Sequence, residues 1–418
     1  MVAIINVPYN KATGGRRTPN SSPWICCQLG AREHYAVPRA INRSGFLSEL
    51  ITDFWLPPGA ASSTFKNGFS DRYHSELKNA KVQSDNFSVA AFELKSRLGG
   101  SNGWRLIHRR NARFQKFALT ELSRVAKDVG DRHITVFAYS YAAAKLFRFA
   151  RERSWTTVLG QIDPGPAEER LVGKLHEAGD LLDGWKPAPA EYWDAWRLEC
   201  ELADQIIVNS DWSRTALLDE GVPFERISVI PLAFEPSGEA LNFRRQYPTT
   251  FTKERPMRVL FLGQINLRKG VLELLHAAET LVEEPIEFWF VGPVQFEIPT
   301  ATRKSSPIKW VGICPRSEVA KHYRAADVFI FPTHSDGFGL TQLEAQSWKL
   351  PIVASRNCGE VVRDGMNGLV LAEVTAKEIA ESLLRLLHDP VSLQKMADES
   401  CVPDPCRLDA LSSSLLNI

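Results

Sequence analysis

The stretch from Asp327 to Glu344, DVFIFPTHSDGFGLTQLE, decides how the rest of the chain is read, because its local signals agree on strand, glycine loop and helix. Val328, Phe329, Ile330 and Phe331 form a short apolar run with β-branched and aromatic members, which suits a strand buried on both faces of a parallel sheet. Pro332 ends it. Thr333 to Gly339 lacks apolar periodicity and carries Gly337 and Gly339, where the backbone can take positive φ or come close to a ligand. From Leu340 the spacing of Leu340, Leu343 and Ser347 around small Ala345 predicts a helix packed on that sheet. Its first N–H groups and its dipole face the loop, and such helix starts bind anions.

Two carboxylates bracket the turn, Asp336 in the loop and Glu344 eight residues on. Taken alone, such a pair reads as a helix cap and a solvated face residue. The run D-G-F-G-L-T-Q-L-E, however, resembles the E-x7-E signature of retaining GT-B glycosyltransferases, especially those of family 4, with Asp336 in the first acidic place. The resemblance implies an α/β chain of GT-B architecture, two doubly wound Rossmann-like domains facing a central cleft. It also implies that Asp336 and the backbone of Gly337, Phe338, Gly339 and Leu340 meet the donor sugar, and that Glu344 meets the nucleotide ribose. Asp336 is one methylene shorter than the family's Glu.

Composition bounds the remainder. A chain of 418 residues with 44% hydrophobic residues and a formal charge of +1 has room for two packed cores, and its charge does not point to nucleic acid. The start MVAIINVPYN lacks a basic n-region and an apolar core, and no apolar stretch reaches the roughly 18 residues of a membrane span. A cytoplasmic protein is the expectation. Seven cysteines, without a C-x-x-C, indicate neither a zinc pattern nor a disulfide framework, so buried thiols are expected.

Residues 1–21, with Gly14, Gly15, Arg16 and Arg17, read as a loose arm. The first domain, 22–233, opens with a strand from Pro23 to Gln28, a turn at Leu29-Gly30-Ala31, a helix through Tyr35, Val37, Ala40 and Ile41 closed by Gly45, and a second strand in LSELITDFW. Family 4 enzymes carry a glycine pair after this first strand, of which only Gly30 remains here, as a donor-side residue. Arg32 and His34 follow, either to meet phosphate or acceptor or to serve as ordinary surface and capping residues. Between 56 and 110, Phe65, Arg72, Tyr73, His74, Phe87, Phe92, Trp104 and Arg105 are interleaved with small polar residues, which fits an acceptor surface or an insertion packed on the sheet. The amphipathic pattern of Phe114, Phe117, Leu119, Leu122 and Val125 has Arg109, Arg110, Arg113, Lys116 and Arg124 on its polar side. Peripheral contact with the inner membrane face and a solvated helix face are both compatible with it.

Strand and helix alternate again from Ile134: ITVFAYS, a helix from Tyr141 to Arg151, TTVLGQIDPG, and a helix through Leu171 and Leu175. Asp163 lies just past a strand end, where open α/β sheets bind ligands, or else caps a helix that begins at Pro164. Trp185, Tyr192, Trp193 and Trp196 read as aromatic packing. The stretch from Ile206 to Glu235 resembles the close of the first domain in family 4 enzymes. The polar segment 234–256 is the expected linker.

The second domain, 257–388, starts with MRVLFLG, ending at Gly263, and continues through QINLRKG into a helix with Leu274, Ala278 and Leu281. Arg268 and Lys269 sit at that helix start, placing two positive charges where a diphosphate can lie. The family's arginine after the first strand is Gln264 here, so Arg268 takes its charge. Strands in IEFWFVG, IKWVG, PIVAS and GMNGLVL and a helix from Ser317 to Ala326 complete the pattern, followed by a capping box at Thr375 and Glu378. The tail, 389–418, is the part that would return to the first domain, although its prolines and LSSSLLNI look unlike a crossing helix.

No two aspartates stand two residues apart, so the D-x-D of metal-dependent GT-A transferases is missing and no metal is expected. The resemblance then implies retaining transfer of a sugar from a nucleotide sugar to an acceptor of unknown class, with no cofactor. Asp336, Arg268 and Lys269 are its catalytic candidates, and no partner protein is implied. A sugar-binding or scaffold GT-B protein without turnover is the alternative. A nucleotide-cofactor oxidoreductase fits less well, because the only G-x-G, Gly337 to Gly339, is followed by Gln342 where the third glycine belongs.

Overall fold

The computed structural model describes residues 22–57, 72–100, 102–179, 185–298 and 307–418. The expected N-terminal arm and Phe65 lie outside the described residues. Each of two parallel sheets builds one domain. The first contains β1 (Trp24–Gln28), β2 (Leu47–Thr52), β3 (Val82–Ser84), β4 (Thr135–Tyr139), β5 (Thr156–Gly160), β6 (Gln205–Val208) and β7 (Ile227–Val229) in the order β3-β2-β1-β4-β5-β6-β7. The second contains β8 (Met257–Leu262), β9 (Ile286–Val291), β10 (Ile308–Gly312), β11 (Val328–Phe331), β12 (Ile352–Ala354) and β13 (Gly368–Val370) in the order β10-β9-β8-β11-β12-β13. Both orders reverse beside the first strand, at β1/β4 and at β8/β11, and ligands of open α/β sheets bind at such points.

The helices of the first domain are α1 (Ala36–Arg43), α2 (Asn86–Leu98), α3 (Gly103–Val129), α4 (Ala144–Arg151), α5 (Pro166–Gly179), α6 (Ala190–Leu202) and α7 (Asp211–Asp219). Then come α8 (Gly238–Asn242), α9 (Val271–Thr280), α10 (Arg316–Ala325), α11 (Leu340–Ser347), α12 (Ala376–His388), α13 (Pro390–Glu399) and α14 (Leu408–Leu416). Helices cover both faces of each sheet, which is why β11 is apolar throughout. Val328 and Ile330 join the cluster of Leu274 and Leu383, while Phe329 and Phe331 join that of Leu343 and Trp348.

One reading is corrected. The helix expected from Tyr141 starts at Ala144, because Tyr141 takes a left-handed turn at φ 75°. Segment 234–256 has no apolar period, yet it is fixed on the second sheet: buried Arg245 donates to the carbonyls of Tyr323, Ala326, Trp348 and Lys349. One guanidinium supplies what a row of apolar side chains would. The serine-rich tail forms α14, since Leu408, Leu411 and Leu415 share a face and pack with Tyr35 and Ile41 of the first domain.

Candidate functional site

After β8, Gly263 leads into a single 3-10 turn, Leu267–Lys269, capped by the Asn266 side chain, which accepts from the Lys269 N–H at 3.2 Å. Gly270 then takes φ 67°, where a Cβ would stand 1.8 Å from the Pro332 carbonyl oxygen, so only glycine lets this loop lie against the β11 loop. The two loops are bonded together: His334 N–H and the Thr333 hydroxyl donate to the Arg268 carbonyl at 2.8 and 3.1 Å. This brings the Lys269 ammonium onto the Asp336 carboxylate and 4.8 Å from the centre of the Phe331 ring.

A cavity of about 410 Å³ opens between the domains here. Of the expected residues, Gly263, Arg268, Lys269, Asp336, Phe338, Gly339 and Leu340 line it, together with Gln264. Gly339 caps α11 at φ 86°, so that the helix start faces the space. Gly337 is set outside the lining, against the first domain: a Cβ there would be 2.3 Å from the Ile162 carbonyl oxygen, and its own carbonyl accepts from the Ser210 hydroxyl at 2.7 Å. Glu344 is also outside, accepting from the Tyr323 hydroxyl at 2.8 Å, and burial raises its pKa. Gly30 lines a separate cavity, where its N–H donates to Asp53 at 2.9 Å. The structure does not bring Gly30 to the Lys269 wall.

The charges form an alternating row. Asp336 lies against Lys269 and 4.0 Å from Arg268, and Arg268 reaches across to Glu168 of α5 at 3.3 Å. Burial works to raise the Asp336 pKa, but the two cations overcome it and hold the carboxyl below its usual range. Burial lowers Lys269 in spite of Asp336. Glu168, which also accepts from the Ser335 hydroxyl at 2.8 Å, is raised by burial against the pull of Arg268. The two cations expected as an open clamp are therefore each paired with a carboxylate.

The first-domain wall was mostly illegible. Arg32 and Glu33 line the cavity, while His34 turns to Arg316 across the domains at 3.0 Å. Glu33, His34 and Tyr35 are all left-handed, at φ 50°, 53° and 60°, a run that no glycine announces and that stores strain at the cleft. Burial pushes the Glu33 carboxyl up to about 7 although Arg32 pulls it down.

Beside this space, and sharing Arg268 with it, is a second cavity of about 360 Å³ lined by Trp104, Tyr141, Asp163, Glu168, Tyr192 and Trp193 among others. This corrects the aromatic-packing reading: only Trp196 of the expected four is fully buried, and Trp185, Tyr192 and Trp193 face the cavity. Tyr141 and Tyr192 stack with centroids 4.8 Å apart, and the Trp193 indole donates to Glu169 at 2.6 Å. Asp163 does not cap a helix beginning at Pro164, because α5 begins at Pro166. Its carboxylate accepts from Gly165 N–H at 2.9 Å and from the Tyr141 hydroxyl.

Comparison with known proteins follows the same division. Residues 256–389 match the family model described as Glycosyl transferases group 1. Over nearly the whole chain the structure is similar to sucrose-phosphate synthase from Thermosynechococcus elongatus, with TM-score 0.61, 15% identity, and 94% of this chain and 97% of that one covered. The protein has the GT-B glycosyltransferase fold. A second GT-B structure, Anabaena HepE in complex with UDP, aligns with TM-score 0.59 and 14% identity over 94% of this chain and 98% of that one. Among curated relatives, the D-inositol 3-phosphate glycosyltransferase of Thermobifida fusca is 30% identical over 255 residues, 54% of this chain and 58% of that protein. The chain thus spans less than two thirds of that relative's length.

Proposed function

We propose that the protein transfers a sugar from a nucleoside-diphosphate sugar to an acceptor hydroxyl, with retention and without a metal. The observation that carries this reading is the interdomain cavity at both switch points, with Lys269 and Arg268 beside a helix start that is open to an anion. HepE is described with UDP and with UDP-glucose, which supports a uridine donor and a hexosyl group. In this reading the diphosphate lies by Lys269 and Arg268, Asp336 positions the sugar, and the acceptor hydroxyl attacks from the face the diphosphate leaves, passing its proton to the departing phosphate oxygen. Charge then grows on the diphosphate as the C–O bond breaks, and fixed cations in a cleft of low dielectric stabilise that change most. Glu344 serves the ribose, and the protein works in the cytoplasm.

The aromatic cavity takes the acceptor. Ring faces at Tyr192 and Trp193 suit the C–H face of a saccharide, and Asp163, Glu168 and Glu169 accept from hydroxyls. Three carboxylates near one arginine favour a neutral acceptor over an anionic one.

Incubating the full chain with a panel of nucleotide sugars and neutral saccharides, with chelator present, tests the proposal. Nucleoside diphosphate release together with a product of the donor's anomeric configuration is expected. Inverted product, or activity that returns only with a divalent metal, contradicts it, and binding without turnover makes the chain a sugar-binding GT-B protein.

A further inference from the structure

Helix α2 is apolar on its outer side as well as its inner one. Phe87, Ala91, Leu94 and Leu98 recur at i, i+4, i+7 and i+11, the spacing of a single apolar stripe that normally faces a core. Here the stripe faces solvent, with Phe87 93%, Leu94 60% and Leu98 81% exposed. The side turned inward holds Val89, Phe92, Ser96 and the helix's one carboxylate, Glu93, which accepts from Arg110 at 2.7 Å. Singly exposed apolar residues need no explanation, whereas a row of large ones along one helix marks an interaction surface.

The charge around the stripe has one sign. Lys95 and Arg97 are exposed on its two flanks, and Arg105 and Arg109 are exposed at the start of α3. Below lies a cavity of about 310 Å³ lined by Arg72, Arg97, Arg110 and Arg113, with Asp53 and Glu93 as its carboxylates among the described residues. A narrow apolar ridge with a cationic border and no acidic residue on its outer face complements a surface that is uniformly negative outside and apolar beneath.

We propose that α2 and the start of α3 dock on an anionic phospholipid bilayer. Phe87, Leu94 and Leu98 enter the acyl boundary, while Lys95, Arg97 and Arg105 extend to the phosphate headgroups. No helix among the described residues is long and apolar enough to cross a membrane, so the contact is peripheral. It is placed to matter: Trp104, six residues beyond Leu98, lines the aromatic cavity and donates to the Lys186 carbonyl at 3.0 Å. Docking through α2 sets that cavity beside the headgroup layer, where an acceptor carried on a lipid would be presented.

Co-sedimentation of the full chain with vesicles of phosphatidylcholine and phosphatidylglycerol, against phosphatidylcholine alone, reads docking without donor or acceptor, so it stands or falls separately from the transferase reading. Binding to the mixed vesicles that weakens with salt is expected. The triple variant Phe87→Ser, Leu94→Ser, Leu98→Ser loses roughly tenfold or more, and Lys95→Glu or Arg97→Glu roughly fivefold or more each, with circular dichroism and UDP binding unchanged. The proposal is overturned by equal binding to neutral vesicles, by no binding, or by variants that bind like the parent. A dimer in sedimentation velocity that the triple variant dissolves overturns it too, since the stripe then belongs to a second copy.

Discussion

The two walls of the cleft handle their carboxyl groups in opposite ways. On the second-domain wall Asp336 is held ionised by Lys269 and Arg268 against its own burial. On the first-domain wall burial wins, and Glu33 is pushed up to about 7. The same chemical group is a fixed charge on one side and close to neutral on the other, because two cations face Asp336 while burial governs Glu33. Arg268 and Glu168 meet at the seam, where the two regimes touch.

Removing the cation from the charged wall should have the largest effect. Lys269→Ala should lower turnover by about a hundredfold to a thousandfold, on the order of 2.7–4 kcal/mol, because its contact strengthens as the diphosphate leaves. Steady-state kinetics should show KM for the donor changing far less than kcat. A raised donor KM with kcat unchanged would mean that the wall binds without discriminating the transition state.

A carboxyl buried behind the opposite wall should show itself in pH. Glu199 receives the Tyr141 and Ala143 N–H groups at 2.6 and 2.7 Å, yet burial raises it to about 7. In the folded chain it keeps its proton where the unfolded chain has lost it, so stability from this group is greatest below about 4.5 and falls as pH rises towards 7, by up to about 3 kcal/mol. Denaturation midpoints across that window should fall in the parent and fall less steeply in Glu199→Gln, where Glu33 and Glu168 still titrate. An unchanged slope would show that Glu199 does not hold its proton in the folded chain.

Gly337→Ala probes the seam. Its methyl group meets the Ile162 carbonyl oxygen, so the walls must separate, at a cost of about 1–3 kcal/mol in turnover with each domain's fold retained. Activity equal to the parent's would show that the domains do not need to meet there. Smallest is Trp193→Ala, for which KM for a neutral saccharide acceptor should rise about tenfold while slow hydrolysis of the donor is untouched.

How much of this was legible follows the same line. The charged wall rests on local patterns: an apolar run, two glycines, a helix start and a basic pair at another strand end. Each can be read from neighbours in sequence. The neutral wall comes from tertiary placement, which brings Glu168 to Arg268 and Glu33 under Tyr139, and from a left-handed run at Glu33, His34 and Tyr35 that contains no glycine. Trp193 and Tyr192 carry the helical spacing of core residues, so period alone could not turn them to a cavity. Phe87 and Leu94 show the converse, an apolar period that faces water. Arg245 hid the anchoring of 234–256, because a buried guanidinium leaves no apolar signature.

The division of labour between the walls is tested most directly by calorimetric titration of UDP, with chelator present, into the parent, Lys269→Ala and Trp193→Ala. UDP carries the terminal phosphate charge that the donor acquires only on bond breaking. The parent and Trp193→Ala should bind UDP alike, and Lys269→Ala should bind it roughly tenfold or more weakly, as loss of a charged hydrogen bond of about 1.5–3 kcal/mol requires. UDP affinity lost in Trp193→Ala and kept in Lys269→Ala would contradict that division, for the nucleotide would then lie on the aromatic wall.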